Sequence, residues 1–340
     1  MTRMRTHTAR RPATTQWGRS LVEMMLSIAI GLAVTVGVST AFVASSRTAR
    51  VAGELAGIAD TGQVAMQLIG NAIRQSGYGE IVGSETAIGG AQAAVQRSQT
   101  LFADGASLVG CNGARFVDDT ERNPVCGPAV DPNFDSLMVR FQGDAVIPPA
   151  QGRIDDCLGI LPPAEALPVG HVGTSVVANR PMVQNVYYGA AGSLWCRGNG
   201  RAAEALPFPA PQQLVGNVEQ FKVFYGFDDV RYSSPAANPG ATVRSLRDAA
   251  FLNALPAETL PWDFVVSAHV CIVVRSAPDA ARDLSNSTSY RYARCPMNAA
   301  EAAGAPPEET ATDRALRRTY TQVFTIRSRA TANPRQFLPD

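Results

Sequence analysis

The hydrophobic pattern changes character twice along this chain. From Met24 to Ala44 nearly every position is apolar and none is charged. That run matches the roughly 20 residues a helix needs to cross a bilayer and exceeds the apolar core of an ordinary secretory signal. From Val51 onward the pattern becomes a stripe. Val51, Leu55, Ile58, Ala65, Ile69 and Ala72 recur at spacings of three, four and seven, which is one face of an amphipathic helix. No proline interrupts Ser20 to Gly77, so the two segments read as a single helix. At 1.5 Å per residue it would reach about 85 Å. Gly53, Gly57, Gly62 and Gly70 each weaken it by about 1 kcal/mol relative to alanine, so its second half depends on packing. Gly77 and Gly79 supply the stop signal.

Beyond Gly79 the period falls to two, with short runs separated by Gly, Pro, Asn and Asp. The clearest predicted strands are Ser136 to Gln142, Val183 to Tyr188, Val218 to Phe227, Phe264 to Arg275 and Thr319 to Arg327. The proline-rich stretch Val146 to Pro168 reads as a long loop, as does Pro235 to Ala241. Ala299 to Thr312 is rich enough in Ala, Pro and Glu to read as a mobile loop. The expected fold class is α+β. A long N-terminal α-helix over residues 19–79, membrane-spanning over 19–44 and amphipathic over 45–79, packs on an antiparallel β-rich globular domain over 80–340. The stretch 81–211 has the least diagnostic pattern.

Charge sets the topology. Arg3, Arg5, Arg10 and Arg11 precede the apolar run with no acid among the first 18 residues, which holds the N-terminus in the cytoplasm and exports the body. The Arg10-Arg11 pair is followed by Pro12-Ala13-Thr14-Thr15, which does not support a twin-arginine signal. A formal net charge of +1 gives no bulk attraction to nucleic acid, and no nucleic-acid partner is inferred. Lys222 is the only lysine, and its Glu219-Gln220-Phe221-Lys222-Val223 setting excludes a Walker-type phosphate loop. All six cysteines, Cys111, Cys126, Cys157, Cys196, Cys271 and Cys295, lie in the exported part. Without any Cys-x-x-Cys knuckle they point to disulfides rather than zinc. Six cysteines allow fifteen connectivities. Nearest-neighbour pairing, Cys111 with Cys126, Cys157 with Cys196 and Cys271 with Cys295, is the simplest.

The junction Gly18-Arg19-Ser20-Leu21-Val22-Glu23, directly ahead of the apolar run, resembles the class III signal of type IV prepilins. Arg74-Gln75-Ser76-Gly77-Tyr78-Gly79 resembles the Arg-x-x-Gly-Tyr-x-Gly stretch that closes the helix in PilW-like pilins. Leu214 to Gly226, Val265 to Ser276 and Tyr320 to Arg329 resemble the core strands of the same proteins. The resemblance implies a minor pilin, non-enzymatic, with residues 1–18 as a leader that a prepilin peptidase removes. Cleavage would fall between Gly18 and Arg19, with methylation of the new N-terminus and Glu23 as the fifth mature residue. Arg19 stands where the family usually has Phe or Met. An ionised glutamate at the end of a lipid-embedded helix needs a partner, and the freed α-amine of a neighbouring subunit would supply one. The resemblance further implies an inner-membrane, single-pass protein with its body in the periplasm, later carried into a pilus. Its partners would be other major and minor pilins, the assembly platform and its ATPase. Two other readings share parts of the pattern. A type II secretion pseudopilin of the PulJ kind has the same N-terminal physics, and a membrane-anchored periplasmic adhesin or hydrolase would use the helix only as a tether.

Catalytic and metal chemistry find little to stand on. His7, His171 and His269 are the only histidines, and neither a His-Glu-x-x-His motif nor a Gly-x-Ser-x-Gly elbow occurs. His269 and Cys271 alternate onto one strand face as half a metal site, but a disulfide to Cys295 would consume that sulfur. Asp131-x-Asn133-x-Asp135 begins like a calcium loop and then fails, with Ser136 in place of glycine and Gln142 in place of glutamate, so a turn is preferred. No cofactor or metal is expected. Phe221, Phe224, Tyr225 and Phe227 read as sheet core rather than an adhesive surface, and Arg314, Arg317 and Arg318 as a solvated basic face.

Overall fold

The computed structural model describes residues 20–78, 106–118, 124–142, 156–160, 164–169, 176–200, 209–233, 245–278, 280 and 289–327. The predicted loop Pro235 to Ala241 lies outside these residues, as does Gly79. The chain divides into two units, Met1–Arg50 and Val51–Asp340. One helix, α1 (Leu21–Gln75), begins in the first and ends in the second.

Within the second unit α1 buries a single stripe: Val51, Ile58, Gly62, Ala65, Met66, Ile69, Gly70, Ala72 and Ile73. Two of its glycines are there for contact. A Cβ on Gly62 would overlap the Tyr320 ring, and one on Gly70 would overlap the Phe324 ring. Gly53 and Gly57 face open space. The helix ends four residues short of the expected Gly79, because Gly77 takes a left-handed conformation (φ 69°) and turns the chain away. Gly77 N–H then donates to the Arg140 carbonyl (2.9 Å) and Gln142 N–H to the Tyr78 carbonyl (2.8 Å), which ties the helix end to a strand.

The strands follow as β1 (Leu108–Cys111), β2 (Ala114–Phe116), β3 (Cys126–Ala129), β4 (Ser136–Gln142), β5 (Ala164–Val169), β6 (Val176–Ala190), β7 (Ser193–Gly198), β8 (Gln212–Gly216) and β9 (Val218–Phe227). After the short helix α2 (Asp229–Ser233) come β10 (Ser245–Arg247), α3 (Ala249–Ala254), β11 (Val265–Arg275), β12 (Tyr290–Ala293), α4 (Ala299–Ala302), β13 (Glu308–Ala311) and β14 (Arg317–Thr325). One sheet runs β1-β4-β6-β7-β8 with β5 on the free part of β6, and a second runs β10-β9-β11-β14. Two ribbons, β2-β3 and β12-β13, complete the set, and all named pairings are antiparallel. The molecule is α+β, a long apolar N-terminal helix followed by an antiparallel β domain.

Alternation places the core. On β9, Phe221, Val223, Tyr225 and Phe227 join Ala268, Val270, Ile272 and Val274 of β11, Phe324 of β14 and the α1 stripe in one buried cluster. Each fully buried aromatic or aliphatic side chain there is worth roughly 1.5 to 3 kcal/mol. Three disulfides, Cys111–Cys126, Cys157–Cys196 and Cys271–Cys295, join sequential neighbours. Closing loops of these sizes contributes about 3 to 4 kcal/mol each in the chain-entropy picture.

Two predicted loops are partly ordered structure. The end of the Val146 to Pro168 stretch belongs to β5 (Ala164–Val169), where Pro168 pairs opposite Val177. An outermost strand tolerates a proline that a central one would not. Ala299 to Thr312, expected to be mobile, contains α4 and β13. The Asn298 side chain caps α4 by accepting from Glu301 N–H (2.9 Å). Glu301 in turn takes two hydrogen bonds from Arg294 (2.8 and 3.2 Å). Composition alone missed these local partners.

Candidate functional site

Of the residues singled out for processing and assembly, Glu23 lies in the first turn of α1. Gly18 and Arg19 lie outside the described residues. Ser20 precedes the first turn, and its carbonyl accepts from Glu23 N–H (3.0 Å) and Met24 N–H (3.2 Å). Glu23 is the one acid of that turn, a position that favours negative charge because unpaired N–H groups point there. Ser27 Oγ donates back to the Glu23 carbonyl (2.7 Å), and Thr35 does the same to Gly31 (2.6 Å), so hydroxyls inside the apolar run are satisfied by their own helix. Around them Leu21, Met24, Leu26, Ile30, Leu32 and Phe42 are between 56% and 76% exposed. By length and composition α1 is able to cross a membrane, consistent with a single-pass anchor.

A second constellation fastens the two sheets together. The chain that leaves β3 turns at Asp131, whose Oδ1 accepts from Asn133 N–H (2.9 Å). The stretch that began like a calcium loop is therefore an Asx turn. Asp135 N–H then donates to the Phe221 carbonyl (2.8 Å) and Phe221 N–H to the Asn133 carbonyl (2.9 Å), so the chain entering β4 pairs briefly with β9. This brings Asp135 to Lys222, whose Nζ donates to Asp135 Oδ1 (2.6 Å) and to the Pro132 carbonyl (3.0 Å). Both side chains are at most 3% exposed. The amides of Gly113 and Val223 donate to the same carboxylate (2.9 Å each). Burial pushes the Asp135 carboxyl up from its usual range, and Lys222 together with the two amides pulls it back.

The outer face of the second sheet carries the other polar cluster. Arg317 belongs to the group expected to be a solvated face, but its side chain is only 7% exposed. It grips Glu219 through two bonds (2.5 and 2.9 Å), binds Asp313, and reaches the Tyr290 hydroxyl (3.2 Å). The correction has a simple cause: Arg317 lies under the β12-β13 ribbon, against Tyr292. The hydrogen bonds it donates to Asp313 and to Glu219 hold its guanidinium firmly in the charged form. Arg314 and Arg318 are exposed as expected.

His269 lies on that same outer face, half-buried, and burial lowers its imidazole below the usual value. Its neighbour Cys271 is bonded to Cys295. Among the described residues no group of three or more His, Cys, Asp or Glu side chains is placed to hold a metal ion. Phe221, Phe224, Tyr225 and Phe227 are all at most 2% exposed, so they are core. Sequence reasoning had marked Lys222 as unusual, but not its partner, which lies 87 positions earlier.

Comparison with known proteins bears on the body that carries β6 to β14. Residues 182–328 match the PilW family, described as Type IV Pilus-assembly protein W. The PilW-matching stretch contains β7 to β14 whole and most of β6, and with them both partners of the Cys271–Cys295 bond. Among solved structures, the Type IV-like pilin TTHA1219 from Thermus thermophilus is similar at 13% identity with a TM-score of 0.34. That alignment covers 80% of this chain and 97% of the other. No curated protein matches the chain.

Proposed function

We propose that this chain is a minor pilin, held in the inner membrane by α1 with its body in the periplasm, and carried into a type IV pilus after a prepilin peptidase cuts between Gly18 and Arg19. The observation that carries the reading is the coupling of a PilW-matching body to a helix whose first half is long and apolar enough to cross a membrane. Side chains such as Leu26, Ile30 and Phe42 are stable only in lipid or against other apolar helices, and one helix can use each environment in turn.

The chemistry of exchange rests on Glu23. In the membrane its carboxylate sits near the headgroups. In a filament it would lie among apolar helices and would need a cation, which the α-amine freed by cleavage after Gly18 provides. Head-to-tail contacts of this kind are heterologous and generate an open helical fibre. Two substitutions separate cutting from joining. Gly18→Ala is expected to leave a full-length precursor in the membrane, and a shortened Gly18→Ala chain found in sheared pili would overturn the processing step. Glu23→Ala is expected to be cut but poorly incorporated. Incorporation at the wild-type level would remove the pairing role.

A further inference from the structure

The second sheet ends at β14, and the outer edge of this strand has a definite pattern of free groups. Ile326 N–H donates to the Val266 carbonyl (2.9 Å), and Ser276 N–H donates to the Leu316 carbonyl (2.8 Å). Antiparallel ladders alternate bonded and non-bonded pairs. The register, in which Phe324 faces Ala268 and Gln322 faces Val270, therefore aims the backbone of the even-numbered residues at β11. The backbone N–H and C=O groups of Thr321, Val323 and Thr325 aim away from the sheet. Among the described residues nothing bonds to them. Their side chains and that of Gln322 are exposed, while Tyr320 and Phe324 anchor the strand on α1 at Gly62 and Gly70.

Natural sheets defend such edges with proline, lysine, bulges or very short strands. On β14 the charges, Arg317 and Arg318, are confined to one end, and the rest of the strand has none of these. Thr319 to Thr325 contains no charge, proline or glycine, and the β11 register runs through nine pairs without a shift. We propose that the Thr321–Thr325 edge is a docking site that accepts an extended segment of a partner protein as a fifth strand, a segment β-prone at its centre and carrying carboxylates at its ends. The ends are specified by charge. Exposed Arg318 and Arg327 bracket the edge, and among the described residues no carboxylate pairs with either. The same charges disfavour a second copy of this chain. Antiparallel self-pairing about Val323 brings Arg327 beside the exposed Arg318, and like charges opposed across strands are destabilising. Backbone bonds would supply affinity and the alternating Thr and Val side chains the register.

The test uses the full chain in detergent micelles and two synthetic peptides, Thr-Val-Thr-Val-Thr with a pair of aspartates at each end and the same core with lysines in their place. Deuterium exchange in the chain alone is expected to be fast at the amides of Thr321, Val323 and Thr325 and slow at Gln322 and Phe324, with the acidic peptide slowing the first three. By fluorescence anisotropy the lysine peptide is expected to bind at least about tenfold more weakly, as is the acidic peptide to Val323→Pro, which deletes only an outward N–H. Slow exchange at all five amides in the chain alone would mean that its own residues cover the edge, and would overturn the proposal. So would a dimer in the micelles that Val323→Pro dissolves, which would make a second copy the occupant, or equal binding of the two peptides. If Val323→Pro fails to fold, the wild-type exchange comparison still decides. None of these readouts depends on assembly into a pilus, so the docking site and the minor-pilin reading can fail separately.

Discussion

Lys222 is the chain's only lysine, and it lies buried against Asp135 rather than in solvent. Taking each charge out of water costs several kcal/mol, and the pair offsets this only because every donor and acceptor around it is used. Removing one partner should therefore hurt more than removing both. Lys222→Met or Asp135→Asn alone is expected to cost about 3 to 5 kcal/mol in denaturant unfolding of the body, while the double variant recovers much of that loss. Strictly additive losses would mean that the pair is not coupled. A second residue-scale test concerns acid. Arg294 and the Met297 amide hold the Glu301 carboxyl below the ordinary glutamate value of 4.5. Because the folded value is depressed, the stabilisation is complete above the unfolded value and is lost as pH falls through the lower, folded one. Thermal unfolding followed downward from pH 4.5 should show a shallower loss in Glu301→Gln than in the wild type; identical slopes would contradict the assignment. Neither interaction was legible in the sequence. Asp135 and Lys222 lie far apart along the chain, and Glu301 reads as one acid in an Ala- and Pro-rich stretch until Asn298 and Arg294 are seen beside it.

At the scale of elements, the contact between α1 and β14 is set by absent side chains. Gly62 and Gly70 each admit an aromatic ring from β14, but the rings differ in freedom: Phe324 is 1% exposed, whereas Tyr320 is only partly buried. Gly70→Ala is therefore expected to cost about 1 to 3 kcal/mol in spite of the helix propensity that alanine adds. Gly62→Ala should cost clearly less, because Tyr320 can swing outward, and thermal unfolding of the two variants compares them directly. Equal effects would mean that the Phe324 ring is not confined. Strongly periodic elements were readable from the chain alone. The α1 stripe follows the 3.6 period, and β4 and β9 have the predicted bounds because they are apolar runs closed by turn residues. The short elements were not readable. β12, β13 and α4 are four residues each, too brief for a period, and they depend on the Cys271–Cys295 bond and Arg317 for their place. β5 was hidden by Pro168, which only its outermost position tolerates.

At the scale of the whole molecule, the first half of α1 presents apolar side chains on every side, and the body presents an uncharged stretch of sheet edge between Arg318 and Arg327. On the two proposals, other molecules cover both. The apolar half was the most legible region of the chain, since about 20 uncharged residues behind five arginines have few other physical uses. The edge was illegible, because strand order is a property of the assembled sheets and not of any local run. Gly18 and Arg19 were singled out through resemblance, and Glu23 through resemblance together with the cost of an ionised acid beside lipid; the proposal that they act in processing and assembly rests on cleavage creating the amine that Glu23 needs. Mass analysis of the N-terminus of the protein purified from the membrane and from sheared pili tests this most directly. The account expects a polypeptide that begins at Arg19 and keeps the whole of α1. A mature protein that begins at Met1, or that has lost the Met24 to Ala44 run, would contradict it.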